Sequence, residues 1–342
     1  MEHIKSVKND SIKDFNKRFS YELILSEIES NTSPCDDVNT AIHEVALLRS
    51  FLKKIGKKFD FTLGISGTHP TGNPSKQNFV KNESYNWVRN QLKEYARQNM
   101  TFSTHIHIGL TNGNDIIQIT NALRCWIAPL FALSINSPFF NGLNTGMFSS
   151  RYFQFGNFPR TNIPHYLHSM DDYITLINSL KDANSISKHR HIWWKIRPHI
   201  DFGTIEFRMF DAQRSLKNVR TLAAISQALV HKIYNEIKNG KKIPDYNLEF
   251  LNDALWKVAR FGLEGTIINP ITQKPEKMKD YIYRMIDYVD SSLLYFNNEF
   301  AKKNVVTILD NNTEAEQQLD IYNKSDINKL KMFLIDNVQY DV

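Results

Sequence analysis

The sequence predicts an α+β fold, and three observations indicate it. Two short segments, residues 103–109 and 203–211, alternate between apolar and polar side chains as half-buried strands do. Several longer segments instead carry apolar residues at helical spacing behind a capping residue. Strands and helices do not alternate regularly, which disfavours a doubly wound sheet. We therefore expect a sheet with one face on an apolar core and the other in a wet cleft.

Four elements are predicted ahead of residue 103. Residues 19–29 alternate as one strand. A helix follows, capped by Asp36 or Asp37, and residues 59–65 alternate as a second strand. Apolar spacing over residues 88–95 then indicates another helix.

The middle of the chain combines a long helix with a long loop. Asn114 is a candidate cap for an apolar helix that reaches about Ser134, with a bend near Pro129. Residues 135–164 are rich in Asn, Gly, Ser, Pro and aromatic residues, which predicts an ordered loop.

The remaining elements are one strand and several helices. Residues 191–197 form a third predicted strand, joined by a turn to the strand within residues 203–211. Ser215 caps a helix that stops at Gly240, and the chain from Leu248 onwards reads as mainly helical.

Composition and charge limit the classes of partner. The 342 residues are 42% apolar and 23% charged, as in a soluble globular protein, with a polar segment over 1–18 and one domain over 19–342. The net charge is +6, but the basic residues are scattered, which argues against a nucleic-acid surface and for an anionic small molecule. Neither a membrane span nor a signal peptide is expected, and Cys35 and Cys125 have no metal-ligand spacing, so the cytoplasm is the expected compartment.

His105 and His107 share one face of the predicted strand within residues 103–109. A strand histidine is often a structural residue, but two on one face can also bind a divalent ion. Glu206 and Arg208 likewise share a face of the second segment, where they are either an exposed charge pair or a site for metal and phosphate. The strongly apolar opposite face and the adjacent Asp211 favour the second interpretation.

Weaker candidates lie elsewhere along the chain. Glu27 and Glu29 share a face of their predicted strand, while Arg151 and Arg197 are candidate anion contacts. The sequence contains neither a Gly-x-x-x-x-Gly-Lys-Ser/Thr loop nor a Gly-x-Gly-x-x-Gly fingerprint, so a bound nucleotide would not use those backbone cradles.

These segments resemble the ATP-dependent carboxylate–amine ligases of the glutamate–cysteine ligase type 2 group. The matching stretches occur in the family's order over roughly residues 20–340, and the ordered set is more specific than any single stretch. They are Ile28-Glu29-Ser30-Asn31-Thr32, Gly67-Thr68-His69-Pro70, His105-Ile106-His107-Ile108-Gly109, Ser134-Ile135-Asn136-Ser137-Pro138-Phe139-Phe140, Ser149-Ser150-Arg151, Trp194-Lys195-Ile196-Arg197-Pro198, Phe202-Gly203-Thr204-Ile205-Glu206-Phe207-Arg208 and Arg260-Phe261-Gly262-Leu263-Glu264-Gly265.

The resemblance implies a glutamine-synthetase-like fold, also described as guanido-kinase-like: a curved, mainly antiparallel sheet with helices on one side. It implies amide formation from an amino acid and an amine, through an acyl phosphate made with ATP and Mg²⁺. A homodimer is an expectation from the fold alone. By resemblance the metal ligands are Glu29, His105 and Glu206, the catalytic groups are Arg197 and Arg208, and the nucleotide contacts are Arg151, Arg208 and the cleft-lining His107.

Two departures from the family pattern bear on activity. The family opens with a Gly-x-Glu-x-Glu strand whose glutamates bind metal, and nothing ahead of Phe19 supplies it; Lys195 also stands where the family usually has an acidic residue. We expect weaker divalent-metal binding as a result. Three hypotheses stay open. The start codon is assigned too late, the protein is a natural variant with reduced or altered activity, or it keeps the fold only to bind a nucleotide, an amino acid or a partner.

Overall fold

The computed structural model describes residues 15–110 and 113–338 of the chain. The expectation about the strand ahead of Phe19 falls largely on residues 1–14, which lie outside the described residues. Within the described part, one three-stranded sheet and three strand pairs lie among the helices. The antiparallel α+β architecture is confirmed, and no helix of the described part is long and apolar enough to cross a membrane.

The first predicted strand is wrong as a single element, because the chain turns back on itself. Strands β1 (Phe19–Tyr21) and β2 (Ile28–Ser30) pair antiparallel as a hairpin, with Ser20 opposite Glu29. Helix α1 (Val38–Phe59) follows, and Asp37 caps it by accepting a hydrogen bond from the backbone N–H of Thr40.

The second predicted strand is also wrong. Phe59 ends α1, and residues 61–65 form neither helix nor strand. Helix α2 (Glu83–Leu92) and a 3₁₀ turn (Lys93–Gln98) confirm the helix predicted around residues 88–95.

The three-stranded sheet is antiparallel throughout. Strand β3 spans Ile106–Gly109, and the strand predicted over residues 191–197 is shifted: β6 spans Ile196–His199, after a 3₁₀ turn at His189–His191. Strand β7 (Thr204–Phe207) lies between these two strands, and each of its residues pairs with one residue of β3 and one of β6.

The long apolar helix is interrupted just ahead of its proline. Helices α3 (Ile116–Leu123) and α4 (Ile127–Ala132) flank a 3₁₀ turn at Arg124–Trp126. Pro129 has no N–H to donate to the carbonyl of Cys125, and the Tyr281 hydroxyl donates to that oxygen instead at 2.6 Å. The expected loop over residues 135–164 is partly ordered as secondary structure. It contains β4 (Phe139–Phe140), β5 (Leu143–Asn144) and α5 (Ser150–Gly156).

Helices cover the apolar face of the sheet. Helix α6 (Met170–Asp182) precedes β6, and α7 (Leu216–Lys238), capped by Ser215 as predicted, follows β7. Helices α3 and α7 pack directly behind the strands, and Ile196, Ile205 and Phe207 are fully buried there.

The remainder is mainly helical, as predicted, with one strand pair. Its elements are α8 (Leu248–Phe261), β8 (Thr266–Ile268), β9 (Pro275–Lys277), α9 (Met278–Tyr295), α10 (Phe300–Asn311), α11 (Glu314–Lys324) and α12 (Ile327–Asp336).

Candidate active site

The polar face of the sheet brings three predicted site residues into one row. His107 on β3 and Arg197 on β6 both pair with Glu206 on β7 in the antiparallel register. Because side chains two apart share a face, Arg208 continues this face at one end and Thr204 at the other. The register therefore places Glu206 at the centre of the charged residues.

Glu206 is held by two arginines on opposite sides. Its Oε2 accepts a hydrogen bond from Arg197 Nε at 2.8 Å and lies 2.6 Å from Arg197 Nη2, while Arg208 Nη1 donates to Oε1. The residue is 2% exposed. Burial alone would raise the pKa of this carboxyl, but Arg208 and Arg197 outweigh it and hold the pKa well below its usual range.

Two histidines lie beside the same carboxylate. His105 Nδ1 is 3.7 Å and His107 Nε2 is 3.6 Å from Glu206 Oε1, and each side chain is about one-third exposed. Loss of solvent, aided at His105 by the charge of Arg208, lowers the pKa of both rings. Both imidazoles are therefore neutral near pH 7, which is the form that accepts a proton or binds a metal ion.

The guanidinium of Arg197 is largely taken up by hydrogen bonds to other groups of the protein. Besides its contact with Glu206, its Nη1 donates to the carbonyls of Arg190 and Ile192, at 2.6 and 2.9 Å. Burial and the nearby Arg208 lower the pKa of Arg197 to about 10. This guanidinium fixes the orientation of Glu206, and its internal contacts leave it less available to a ligand than the predicted role requires.

Arg151 lies beneath the sheet face, where it supports Arg208. Its Nη1 donates to the Met209 carbonyl, and its Nη2 donates to the Arg208 carbonyl and to Ser103 Oγ. The residue is 2% exposed. Among the described residues, the buried Nε atoms of Arg151 and Arg208 have no hydrogen-bond partner. Arg208 is 8% exposed, so of the two arginines it is the closer to solvent at the polar face.

The hairpin of β1 and β2 contributes three carboxyl groups. Burial and the neighbouring Glu29 raise the pKa of Glu22 to about 7, against the opposing charge of Arg208. Burial, with Glu22 next, raises the pKa of Glu27 well above its ordinary value, and no described residue donates to its buried Oε1. Ser20 Oγ donates to Glu29 Oε2 at 2.6 Å.

Glu22 is not among the residues that the sequence pattern marks as candidates. Along a single strand Glu22 and Glu29 would point to opposite faces, since they are an odd number of residues apart. The turn of the hairpin brings their carboxyl groups together, and no signal along the sequence marks that turn.

Lys195 adds an amine at the Arg208 end of the face. Its carbonyl accepts from the backbone N–H of Arg208 at 2.8 Å, and its Nζ lies 5.0 Å from the centre of the Tyr152 ring. Lys195 is 6% exposed, and burial, aided by Arg151, lowers its pKa to about 7. Lys195, which stands where the family usually has an acidic residue, therefore lies directly beside Arg208.

The fold is α+β, and one face of its antiparallel sheet carries buried charged groups beside two partly exposed histidines. The chain belongs to glutamate–cysteine ligase family 2, whose family model matches residues 5–325. The predicted resemblance is confirmed.

Curated relatives carry the provisional name glutamate–cysteine ligase 2. A protein of Solibacter usitatus is 30% identical over 325 residues, which cover 95% of this chain and 84% of that protein. A protein of Chloroflexus aurantiacus is 31% identical over 320 residues, which cover 94% of this chain and 81% of that protein.

Two solved structures share the fold at low sequence identity. A glutamate–cysteine ligase of Francisella tularensis in complex with AMP matches with a TM-score of 0.67 and 13% identity, over 94% of this chain and 81% of that chain. A bifunctional glutathione synthetase of Pasteurella multocida matches with a TM-score of 0.68 and 12% identity, over 94% of this chain and 47% of that chain.

Proposed function

We propose that this protein is an ATP- and Mg²⁺-dependent ligase that joins a carboxylate to an amine through an acyl phosphate. The observation that carries the proposal is the buried Glu206, clamped between Arg197 and Arg208 and flanked by two histidine rings at 3.6 and 3.7 Å from its Oε1. Family membership supports a ligase, and the AMP bound to the F. tularensis enzyme supports an adenine nucleotide. The family names favour glutamate and cysteine as substrates.

The carboxyl groups of the hairpin fit a divalent cation. Burial and the charge of Glu29 raise the pKa of Glu22, and Glu27 Oε1 is buried without a partner among the described residues. The charge of Arg208 offsets this only in part, and oxygen donors are the ligands that Mg²⁺ prefers. We assign Glu29 and Glu22 as ligands on the hairpin, with His105 and Glu206 as ligands on the sheet. A bound Mg²⁺ would neutralise charge on the nucleotide phosphates.

The arginines have separate roles in this proposal. Arg208 offers its unpartnered Nε to a phosphate oxygen, Arg197 orients Glu206, and Arg151 holds the main chain of Arg208 in place. The substrate carboxylate attacks the γ-phosphorus and ADP leaves; the amine nitrogen then attacks the acyl carbon and phosphate leaves. The amine loses a proton in the second step, and neutral His107 lines the face as an acceptor for it.

The experiment incubates the purified chain with ATP, Mg²⁺, glutamate and cysteine and measures ADP and γ-glutamylcysteine by mass spectrometry. A panel of other amino acids and amines is tested in parallel. We expect ADP formation that requires both an acid and an amine, and Arg208→Lys to lower kcat by about 10²-fold, as loss of a charge-stabilising donor does. Arg124→Lys, a buried arginine that pairs with Asp245, is the control. Absence of ADP with every pair, or full activity in Arg208→Lys, would contradict the proposal.

A second candidate is a family member that binds a nucleotide or amino acid without turnover. The observation that favours it is Lys195, a buried cation beside Arg208 at a position where the family usually has an acidic residue. Calorimetry distinguishes the two functions: binding of ATP or glutamate without product at high Mg²⁺ supports the second. Recovery of turnover in Lys195→Asp would identify this side chain as the cause.

A further inference from the structure

A second cluster of ligand-type side chains lies at the other end of the polar face, at the turn between β6 and β7. Strand β6 ends at His199, and β7 begins at Thr204. Gly203 closes the turn between them with φ of +63°, a conformation that glycine adopts without steric cost. The turn carries Asp201 back towards His189, which begins the 3₁₀ turn ahead of β6.

These three side chains lie close enough together to share a small metal ion. One ligand atom from each of His189, His199 and Asp201 lies within 4.8 Å of the others. His189 Nε2 and Asp201 Oδ2 are 3.3 Å apart. A tetrahedral ion with ligands at about 2.0–2.1 Å places them about 3.3 Å from each other.

Two of the three ligand groups are buried nitrogens with no hydrogen bond. In the described ranges, His199 Nδ1 has no hydrogen-bond partner, and His189 Nε2 has only the Asp201 carboxylate at 3.3 Å, without hydrogen-bond geometry. A buried polar atom without a partner costs free energy, which a bound ion would recover. Asp201 is 61% exposed on its side chain, so an ion can enter from solvent.

Aromatic neighbours fix the position of the His199 ring. His199 stacks on Phe202 with ring centres 4.2 Å apart, and its edge meets His107 at 5.5 Å. Burial, aided by Arg197, lowers the pKa of His199 to about 4, and burial also lowers the pKa of His189. Neutral rings bind metal without first releasing a proton.

We propose that His189, His199 and Asp201 form a site for a late first-row divalent cation, with Zn²⁺ as the physiological ion. Two imidazoles and one carboxylate suit Zn²⁺, whereas the all-oxygen cluster of the hairpin suits Mg²⁺. Three protein ligands leave a fourth position for water or another donor. The site does not depend on the proposed ligase activity.

The test titrates the full chain, stripped with a chelator, with Co²⁺ and with Zn²⁺. We expect one tight equivalent of Zn²⁺ by calorimetry and a Co²⁺ absorption band typical of four-coordinate nitrogen and oxygen ligands. His189→Gln and His199→Gln should each weaken Zn²⁺ binding by more than the roughly 10–100-fold that loss of an outer-shell partner costs. Asp201→Asn should weaken it too and, being exposed, leave the fold intact.

Two control variants separate this site from others. His231→Gln removes a histidine on α7 that contacts Ser292, and Glu29→Gln removes a carboxylate of the hairpin; both should keep the tight equivalent. Absence of a tight Zn²⁺ equivalent in the parent chain would overturn the proposal. So would unchanged binding in Asp201→Asn, or loss of the equivalent in Glu29→Gln, because the ion would then occupy the hairpin.

Discussion

Replacing Glu206 by glutamine tests whether the centre of the polar face is an ion cluster that the fold requires. The amide keeps the size of the side chain but removes the charge that faces Arg197 and Arg208. Both arginines are buried, at 5% and 8% exposure, so their charges lose their partner where water cannot replace it. Breaking one side of a buried pair costs about 3–5 kcal/mol, and we expect a loss of this size in the free energy of unfolding.

Urea denaturation at pH 7, followed by circular dichroism, measures the loss. The control is Asp253→Asn, which removes an exposed partner of Lys257 one helical turn away and should cost about 0.3–0.5 kcal/mol. A Glu206→Gln variant within about 0.5 kcal/mol of the parent, the usual range for neutral surface changes, would refute the reasoning.

The same variant predicts a dependence on pH. The folded pKa of Glu206 is lowered, so its contribution to stability is present above the unfolded pKa and is lost as the pH falls through the folded pKa. The difference between the parent and Glu206→Gln should therefore shrink as the pH falls below about 4, near the unfolded pKa. A difference that stays constant down to pH 3 would point to packing instead of charge.

Three further changes test other parts of the structure. Gly67→Ala should destabilise by about 1–3 kcal/mol in thermal denaturation, since a Cβ there would lie 2.6 Å from Asp211 Cγ. A thiol reagent should label Cys35 in the native protein but Cys125 only on unfolding, as mass spectrometry can show, because Cys125 is 2% exposed and burial raises its pKa to about 12. Glu22→Gln should raise the free energy of unfolding by about 3 kcal/mol at pH 8 and by only about 1 kcal/mol at pH 5, because the raised pKa of Glu22 penalises its charged form as the pH rises.

Helices with strong local signals were predictable from the sequence. Asp37 and Ser215 cap their helices as expected, because capping depends on a side chain and the backbone two or three residues away. Short strands were predicted less well. Residues 61–65 alternate between apolar and other side chains yet pair with no strand, since a strand requires a partner that alternation alone does not specify.

The alternation in two short segments was sufficient to place His105 and His107 on one face and Glu206 and Arg208 on another, because strand geometry fixes which side chains share a face. Only the tertiary structure decided which faces meet. The register set Arg197 against Glu206, the hairpin joined Glu22 to Glu29, and the turn returned Asp201 to His189 and His199. Pairing partners and chain reversals depend on packing of the whole core, so they leave little trace in the local sequence.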